Sequence, residues 1–254
     1  MFGFLKKKDN GKRRACVFVD YEHWYYGYNN NFHMKPNIEE WIQELQQEFT
    51  VTNLYIFGDF SEKKMGKDME RLKKLSTHVI HTASSKDGVD KDFTDVIMLD
   101  HIYRSAAKND AEDVYVLFTG DAHFLKVVEY LRELKKKVII YGVKFGFSNA
   151  LKSAATSYVE MPRQSQEKNY YYDMILTSLA RLRYRPKTMV TYWKTVQSVA
   201  DYNRVPKERV QHTLDDMIKQ KFIRQNEVQG RGGRTVQKLE VDWKRLADEG
   251  IWES

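Results

Sequence analysis

The sequence predicts an α/β protein: a mostly parallel sheet covered by helices on both faces, joined to a smaller helical module that ends in a β-hairpin. Three observations predict it. From Cys16 to about Met161, short β-rich apolar runs alternate with helical stretches, which is how successive strand–helix units build a parallel sheet. Two of those runs, Ala-Cys-Val-Phe-Val at 15–19 and Val-Tyr-Val-Leu-Phe at 114–118, are continuously apolar, as strands buried on both faces are. After residue 168 the pattern changes to three helical stretches and two short β-rich runs around a Gly/Arg turn, a different architecture.

In chain order, strands are expected at 15–20, 53–58, 77–82, 113–118 and 137–142. A helix over 37–48 starts at Asn37, whose side chain can cap the first turn. Another over 122–135 places Phe124, Val127, Val128 and Leu131 on one face and stops at Lys135–Lys137. Residues 162–168 are polar and aperiodic, so the linker is expected there. Helices follow at about 170–183, 190–201 and 206–220, the last with Pro206 in its first turn. Phe222–Val228, a Gly/Arg-rich turn and Val236–Val241 then form a hairpin. Three helices and a hairpin in that order resemble a winged helix-turn-helix. The expected organisation is a basic tail at 1–14, an α/β domain at 15–161, a linker at 162–168 and a winged-helix-like module at 169–254.

Bulk properties narrow the function. The chain has 254 residues, 42% of them hydrophobic, ample for a packed core. Its single cysteine, Cys16, excludes an internal disulfide and a thiolate zinc site, and suits a reducing compartment. No apolar run is long enough to span a membrane, and the opening Met-Phe-Gly-Phe-Leu-Lys-Lys-Lys is the reverse of a secretory signal, so a cytoplasmic location is expected. The formal charge of +7 is uneven: +5 in residues 1–14, +6 in 162–254, and therefore −4 in 15–161. An acidic centre between basic ends suits a metal site flanked by polyanion-binding surface.

The acidic centre has a pattern. Asp20 closes the first strand and Asp121 follows the fourth. In an open parallel sheet the carboxyl ends of strands form the ligand crevice, so these acids can meet although far apart in sequence. Asp90, Asp92 and Asp95 lie at an expected helix start; Asp92 and Asp95 are about 300° apart around a helix, hence on one face. Converging carboxylates repel one another unless a hard divalent cation lies between them. His23 and His123 sit beside Asp20 and Asp121, each a candidate metal ligand, phosphate contact or proton donor. Ordinary helix capping and dipole effects compete with the metal reading for Asp121, Asp90 and Asp92. Neither a Gly-x-Gly-x-x-Gly turn nor a Gly-Lys-Ser/Thr phosphate loop follows the first strand. The pattern points to metal-dependent phosphodiester chemistry.

Four segments in order carry a family resemblance: Val17-Phe-Val-Asp20-Tyr-Glu-His-Trp-Tyr-Tyr-Gly27, Tyr55-Ile-Phe-Gly-Asp-Phe-Ser61, Lys91-Asp-Phe-Thr-Asp95-Val-Ile-Met-Leu-Asp100 and Val116-Leu-Phe-Thr-Gly-Asp121-Ala-His-Phe124. Over about 145 residues this resembles the NYN domain family, relatives of the PIN-domain nucleases. The resemblance implies a PIN-like, Rossmann-like sheet, a divalent metal (Mg²⁺ or Mn²⁺) and ribonuclease activity, with the family's acids falling on Asp20, Asp95 and Asp121. Two positions depart from the pattern: His23 stands where the family usually has Asn, and His123 where it usually has a second Asp. The central motif is also about one residue short, which brings in Asp92 as an alternative ligand to Asp95. A site one acid poorer binds metal less strongly or shifts toward a metal that tolerates imidazole, such as Mn²⁺.

On the third helix of the second module, Val210, Leu214, Met217 and Ile218 read as the buried stripe, leaving Lys207, Arg209, Gln211 and His212 nearer solvent. Arg231 and Arg234 at the hairpin tip complete an expected nucleic-acid surface. The sequence therefore predicts a metal-dependent ribonuclease, expected to cut internally, with RNA as partner and single-stranded DNA as the other candidate strand. A homodimer is compatible with the sequence, which does not fix the oligomeric state. The competing expectation is a nucleic-acid-binding regulator whose nuclease fold has lost its chemistry, with the two histidines as its marks.

Overall fold

The computed structural model describes residues 11–61, 65–82, 93–183, 189–229 and 235–252. The chain divides into two compact units, Met1–Pro162 and Arg163–Ser254.

The first unit is α/β. Its elements are β1 (Arg14–Asp20), α1 (Tyr21–Phe32), α2 (Ile38–Glu48), β2 (Thr50–Gly58), α3 (Met69–Leu75), β3 (His78–His81), α4 (Thr94–Ala106), β4 (Val114–Phe118), α5 (Leu125–Glu133), β5 (Lys137–Val143), α6 (Asn149–Ala154) and β6 (Ser157–Met161). The six strands form one sheet in the order β3-β2-β1-β4-β5-β6, and every neighbouring pair is parallel. The chain thus builds outward from β1 in one direction and from β4 in the other. Strand order reverses between them, and that is where a ligand crevice opens beyond the carboxyl ends.

β1 and β4 are buried along almost their whole length because both sheet faces are covered. On one face Trp24 of α1 stacks on Phe118 with ring centroids 3.9 Å apart and meets Trp41 of α2 edge-on at 5.3 Å. On the other, Met98 and Ile102 of α4 and Val127, Val128 and Leu131 of α5 pack over Cys16, Phe18, Tyr115 and Leu117. Burial pushes the Cys16 thiol up to about 12, so it behaves as an apolar side chain.

Two elements depart from the sequence expectation. α1 follows β1 without a loop, with Tyr21, Trp24, Tyr25, Tyr28 and Phe32 buried. Its aromatic and Asn-rich composition has weak intrinsic helix preference, so tertiary packing is what forms it. β6 is an additional strand, and its largely exposed Ser-Tyr-Val-Glu-Met run lacks the apolar signal of the central strands.

The second unit contains α7 (Gln164–Arg183), α8 (Tyr192–Asn203), α9 (Lys207–Lys219), an antiparallel hairpin of β7 (Ile223–Gln229) and β8 (Thr235–Val241), and α10 (Trp243–Asp248). An isolated antiparallel bridge from Thr191 to Lys238 adds a third short segment beside the hairpin. Ile175, Leu176, Leu179, Val196, Val199, Val210, Leu214, Met217 and Leu239 lie in its core. The stretch expected as linker is mostly helix: α7 begins at Gln164, because Tyr171 and Tyr172 supply its buried face further along. Among the described residues no helix is long and apolar enough to cross a membrane.

Gly142 of β5 carries the ring of Phe147 directly on its backbone; a Cβ there would lie 2.4 Å from Cγ of Phe147. We expect Gly142→Ala to destabilise the protein by about 1–3 kcal/mol through overpacking. Denaturant unfolding would measure this as a lowered midpoint, and adding Phe147→Leu should recover part of the loss.

Candidate functional site

Asp20 is the last residue of β1 and only 6% exposed. Its Oδ1 accepts the His23 backbone N–H at 2.9 Å, which makes it the N-cap of α1. The other oxygen, Oδ2, accepts from the Thr119 hydroxyl at 3.4 Å. Thr119 is fully buried just beyond β4, and its own Oγ1 accepts the Asp121 N–H at 3.3 Å. One hydroxyl therefore ties the end of β1 to the turn that carries Asp121. Thr119 belongs to the Thr-Gly-Asp121 segment of the family resemblance, but its part in tying Asp20 to Asp121 depends on a contact between residues 99 apart, which the sequence does not show.

Gly120 stands in the turn between Thr119 and Asp121. Its backbone needs no left-handed conformation; a Cβ there would instead lie 2.2 Å from the Gly146 carbonyl oxygen and 2.5 Å from Cε1 of His23. Close approach of the β5–α6 turn and of an imidazole is what requires glycine.

Asp121 caps the short 3₁₀ turn Ala122–Phe124 by accepting the His123 N–H at 2.9 Å. Capping leaves it able to face the crevice as well. Asp95, in the first turn of α4, has a side chain 19% exposed. The imidazole of His123, 75% exposed, lies between the two acids, with Nδ1 3.2 Å from Asp95 Oδ2 and 3.2 Å from Asp121 Oδ1. Each of Asp95, Asp121 and His123 offers a ligand atom, and the three atoms lie within 4.8 Å of one another. Two carboxylates and an imidazole are a donor set that fits a divalent first-row cation. The hydrogen bond to Asp95, followed by the charges of Asp121 and Asp95, holds the His123 pKa above its ordinary value.

The start of α4 is fixed from below. Thr94 donates its hydroxyl to Glu22 Oε1 at 3.2 Å and shares a 2.5 Å contact with the Thr82 hydroxyl. Since each hydroxyl has one proton, Thr82 donates to Thr94. Glu22 Oε1 also accepts the Asp59 N–H. Glu22 thus holds Asp95 in place through the neighbouring Thr94.

His23 does something different from His123, despite the similar position in sequence. It is half-buried, and its Nε2 accepts the Val143 N–H at 3.2 Å. Desolvation pushes its pKa down to about 4, against the opposing charge of Asp121. The expectation of a ligand or proton donor gives way to a neutral imidazole that carries its proton on Nδ1 and supports the β5 end. Asp20 likewise lies outside the tight group of three. Asp92, Arg231 and Arg234 fall outside the described residues.

In the second unit Lys207 is exposed at the start of α9. Arg209 is paired with Glu167 of α7, and Gln211 faces the Tyr192 hydroxyl, which donates to Asp215 at 2.6 Å. The exposed residues of this helix include Glu208 and Asp215 beside Lys207, Arg209 and His212. The face is of mixed charge, less basic than the cations alone suggested.

The NYN domain family model matches residues 14–162. A solved protein of unknown function from Vibrio parahaemolyticus is similar in fold, with a TM-score of 0.53 and 20% identity over 61% of this chain and 97% of that one. At that identity the likeness concerns fold alone. No curated protein matches the chain.

The two histidines are expected to titrate in opposite directions. A His23 pKa near 4, below the unfolded value near 6.5, means that folding loses stability as pH falls from 6.5 toward 4. For His123 the raised value gives a contribution complete below the unfolded pKa and lost as pH rises through the folded one. Two-dimensional NMR of the imidazole resonances should place the His123 midpoint well above that of His23. The His23→Gln variant should show a shallower acid-side loss of stability.

Proposed function

The chain belongs to the NYN domain family of PIN-like nucleases, and from that premise we propose that it is a metal-dependent ribonuclease that cuts RNA internally. The observation that carries this reading is the convergence of Asp95, Asp121 and His123 beyond the carboxyl ends of the sheet. Asp95 and Asp121 would hold Mg²⁺ or Mn²⁺, and the His123 imidazole favours Mn²⁺. When bound, such a cation lowers the pKa of a water and offsets charge developing on the scissile phosphate. Asp20 and Thr119 set the Asp121 turn, and Glu22 with Thr94 sets the start of α4. These four are positioning residues. The burial of Cys16 and the use of a single cysteine fit a reducing, cytoplasmic setting.

We further propose that the second unit is a winged-helix-like module for nucleic acid. Three helices, a hairpin and the Thr191–Lys238 bridge occur in the order such modules use. Lys207 is the α9 residue best placed for a phosphate, since Arg209 is engaged by Glu167.

One observation favours a second reading, a binding regulator without chemistry. His123 already lies between both carboxylates, so its protonated form offsets their repulsion with no metal. Cleavage separates the two readings.

With end-labelled single-stranded RNA and Mn²⁺ or Mg²⁺, the wild type should cut, and EDTA should stop it. Asp95→Asn and Asp121→Asn should reduce cutting to background while gel shifts show RNA still bound. Thr119→Val, which breaks the link to Asp20 without touching the donors, should cost roughly 10–100-fold in rate. Binding without any cutting by the wild type would support the regulator, and cutting by Asp121→Asn equal to wild type would remove the assigned site. Structured RNA and single-stranded DNA run alongside define the preferred strand.

A further inference from the structure

Phe145, in the turn between β5 and α6, is 87% exposed, more than any other large hydrophobic side chain among the described residues. Its φ is +71°, in the left-handed region that glycine adopts freely and a bulky side chain does not. Strain of this kind persists where surrounding structure enforces it, and it concentrates at functional sites. The turn is firmly held. Lys144 N–H donates to the Met161 carbonyl at 2.8 Å, Gly146 N–H to Val143 at 3.1 Å and Ser148 N–H to the Gly120 carbonyl at 2.9 Å. The last bond fastens it to the same turn that carries Asp121.

One face of the Phe145 ring rests against Phe32, with centroids 5.9 Å apart and planes 18° from parallel. Phe32 is the last residue of α1, and Asp20 caps that helix at its other end. Twelve residues of α helix span about 18 Å, so a strand of a few nucleotides laid along α1 reaches from the acidic site to Phe145. The two segments that form this end, 23–38 and 143–149, contain no carboxylate, and they contribute Lys35 and Lys144. In a region of net charge −4, that local charge suits phosphate. A packing role alone does not account for an aromatic ring left so open. An apolar docking patch does not either, since Asn29, Asn30 and Asn31 are the exposed residues at the end of α1.

We propose that Phe145 is a stacking platform for one base of a single-stranded nucleic acid whose phosphates pass Lys144 and whose scissile end lies at Asp95, Asp121 and His123. The assignment rests on the nucleic-acid reading above and adds a specific subsite to it. Stacking on a preformed aromatic face tolerates any base, so the subsite selects for unpaired strand and not for sequence.

Fluorescence anisotropy in EDTA tests it, with the full chain and a short labelled single-stranded RNA in which one abasic nucleotide is walked along the strand. Wild-type affinity should fall about tenfold or more at one abasic position. Phe145→Ala should lose a similar factor with intact RNA and become indifferent to that abasic position, while Phe145→Trp should behave as wild type. Phe145→Gly should bind as weakly as Phe145→Ala while unfolding at the same temperature as wild type or higher, since glycine relieves the backbone. Unchanged affinity in Phe145→Ala and Phe145→Gly, with wild-type binding measurable, overturns the stacking role and leaves the nuclease reading standing. Conversion of a dimer to a monomer by Phe145→Ala, with RNA affinity unchanged, also overturns it by making the ring a contact between copies. If the wild type binds no strand at all, the nucleic-acid reading fails and the subsite falls with it.

Discussion

Asp95 and Asp121 are brought close together by α4 and by the turn after β4, elements that share one buried core, and the mutual repulsion of two carboxylates is the constraint the site has to meet. The sheet supplies the meeting place. Because strand order reverses between β1 and β4, the segments that follow them leave in different directions and a crevice opens at their carboxyl ends. Two hydrogen-bond chains then fix the acids. Asp20 and Thr119 hold the turn of Asp121, and Glu22, Thr94 and Thr82 hold the first turn of α4. Such buried polar chains are costly when incomplete, and here each described hydroxyl finds a partner. The negative charge of Asp95 and Asp121 is met by His123, and a divalent cation would meet it more fully.

The same arrangement explains why two histidines in similar sequence settings differ. His123 sits on an open 3₁₀ turn, where charge from both sides favours its protonated form. His23 sits one turn into α1 beneath Gly120, where desolvation dominates and a backbone N–H occupies Nε2. Gly120 belongs to that second environment: any side chain there would displace the imidazole and the Gly146 carbonyl together. Burial decides between the two fates, and burial depends on how α1 crosses the sheet.

That dependence marks where the sequence stopped being legible. The central strands were readable because double burial requires unbroken apolar runs, as in Val114–Phe118. The acids at their ends were readable because parallel sheets present such positions to one crevice. β6 was not readable, since an edge strand with exposed Ser157, Tyr158 and Glu160 looks like loop. Neither was α1, whose aromatic residues become a helix face only against Phe118 and Trp41 and whose Gly27 lies against Val143. In the second unit the buried stripe of Val210, Leu214 and Met217 was plain from its spacing. The surface chemistry of the same helix was not, because the partner of Arg209 is Glu167, 42 residues earlier.

The most direct measurement is a crystal structure of the protein grown or soaked with Mn²⁺, with an anomalous difference map collected above the manganese edge. A peak coordinated by the carboxylates of Asp95 and Asp121, with His123 turned to complete the set, is the predicted result. Absence of a peak there at millimolar Mn²⁺, with His123 still lying between the two acids, would contradict a cation site at the strand-order reversal.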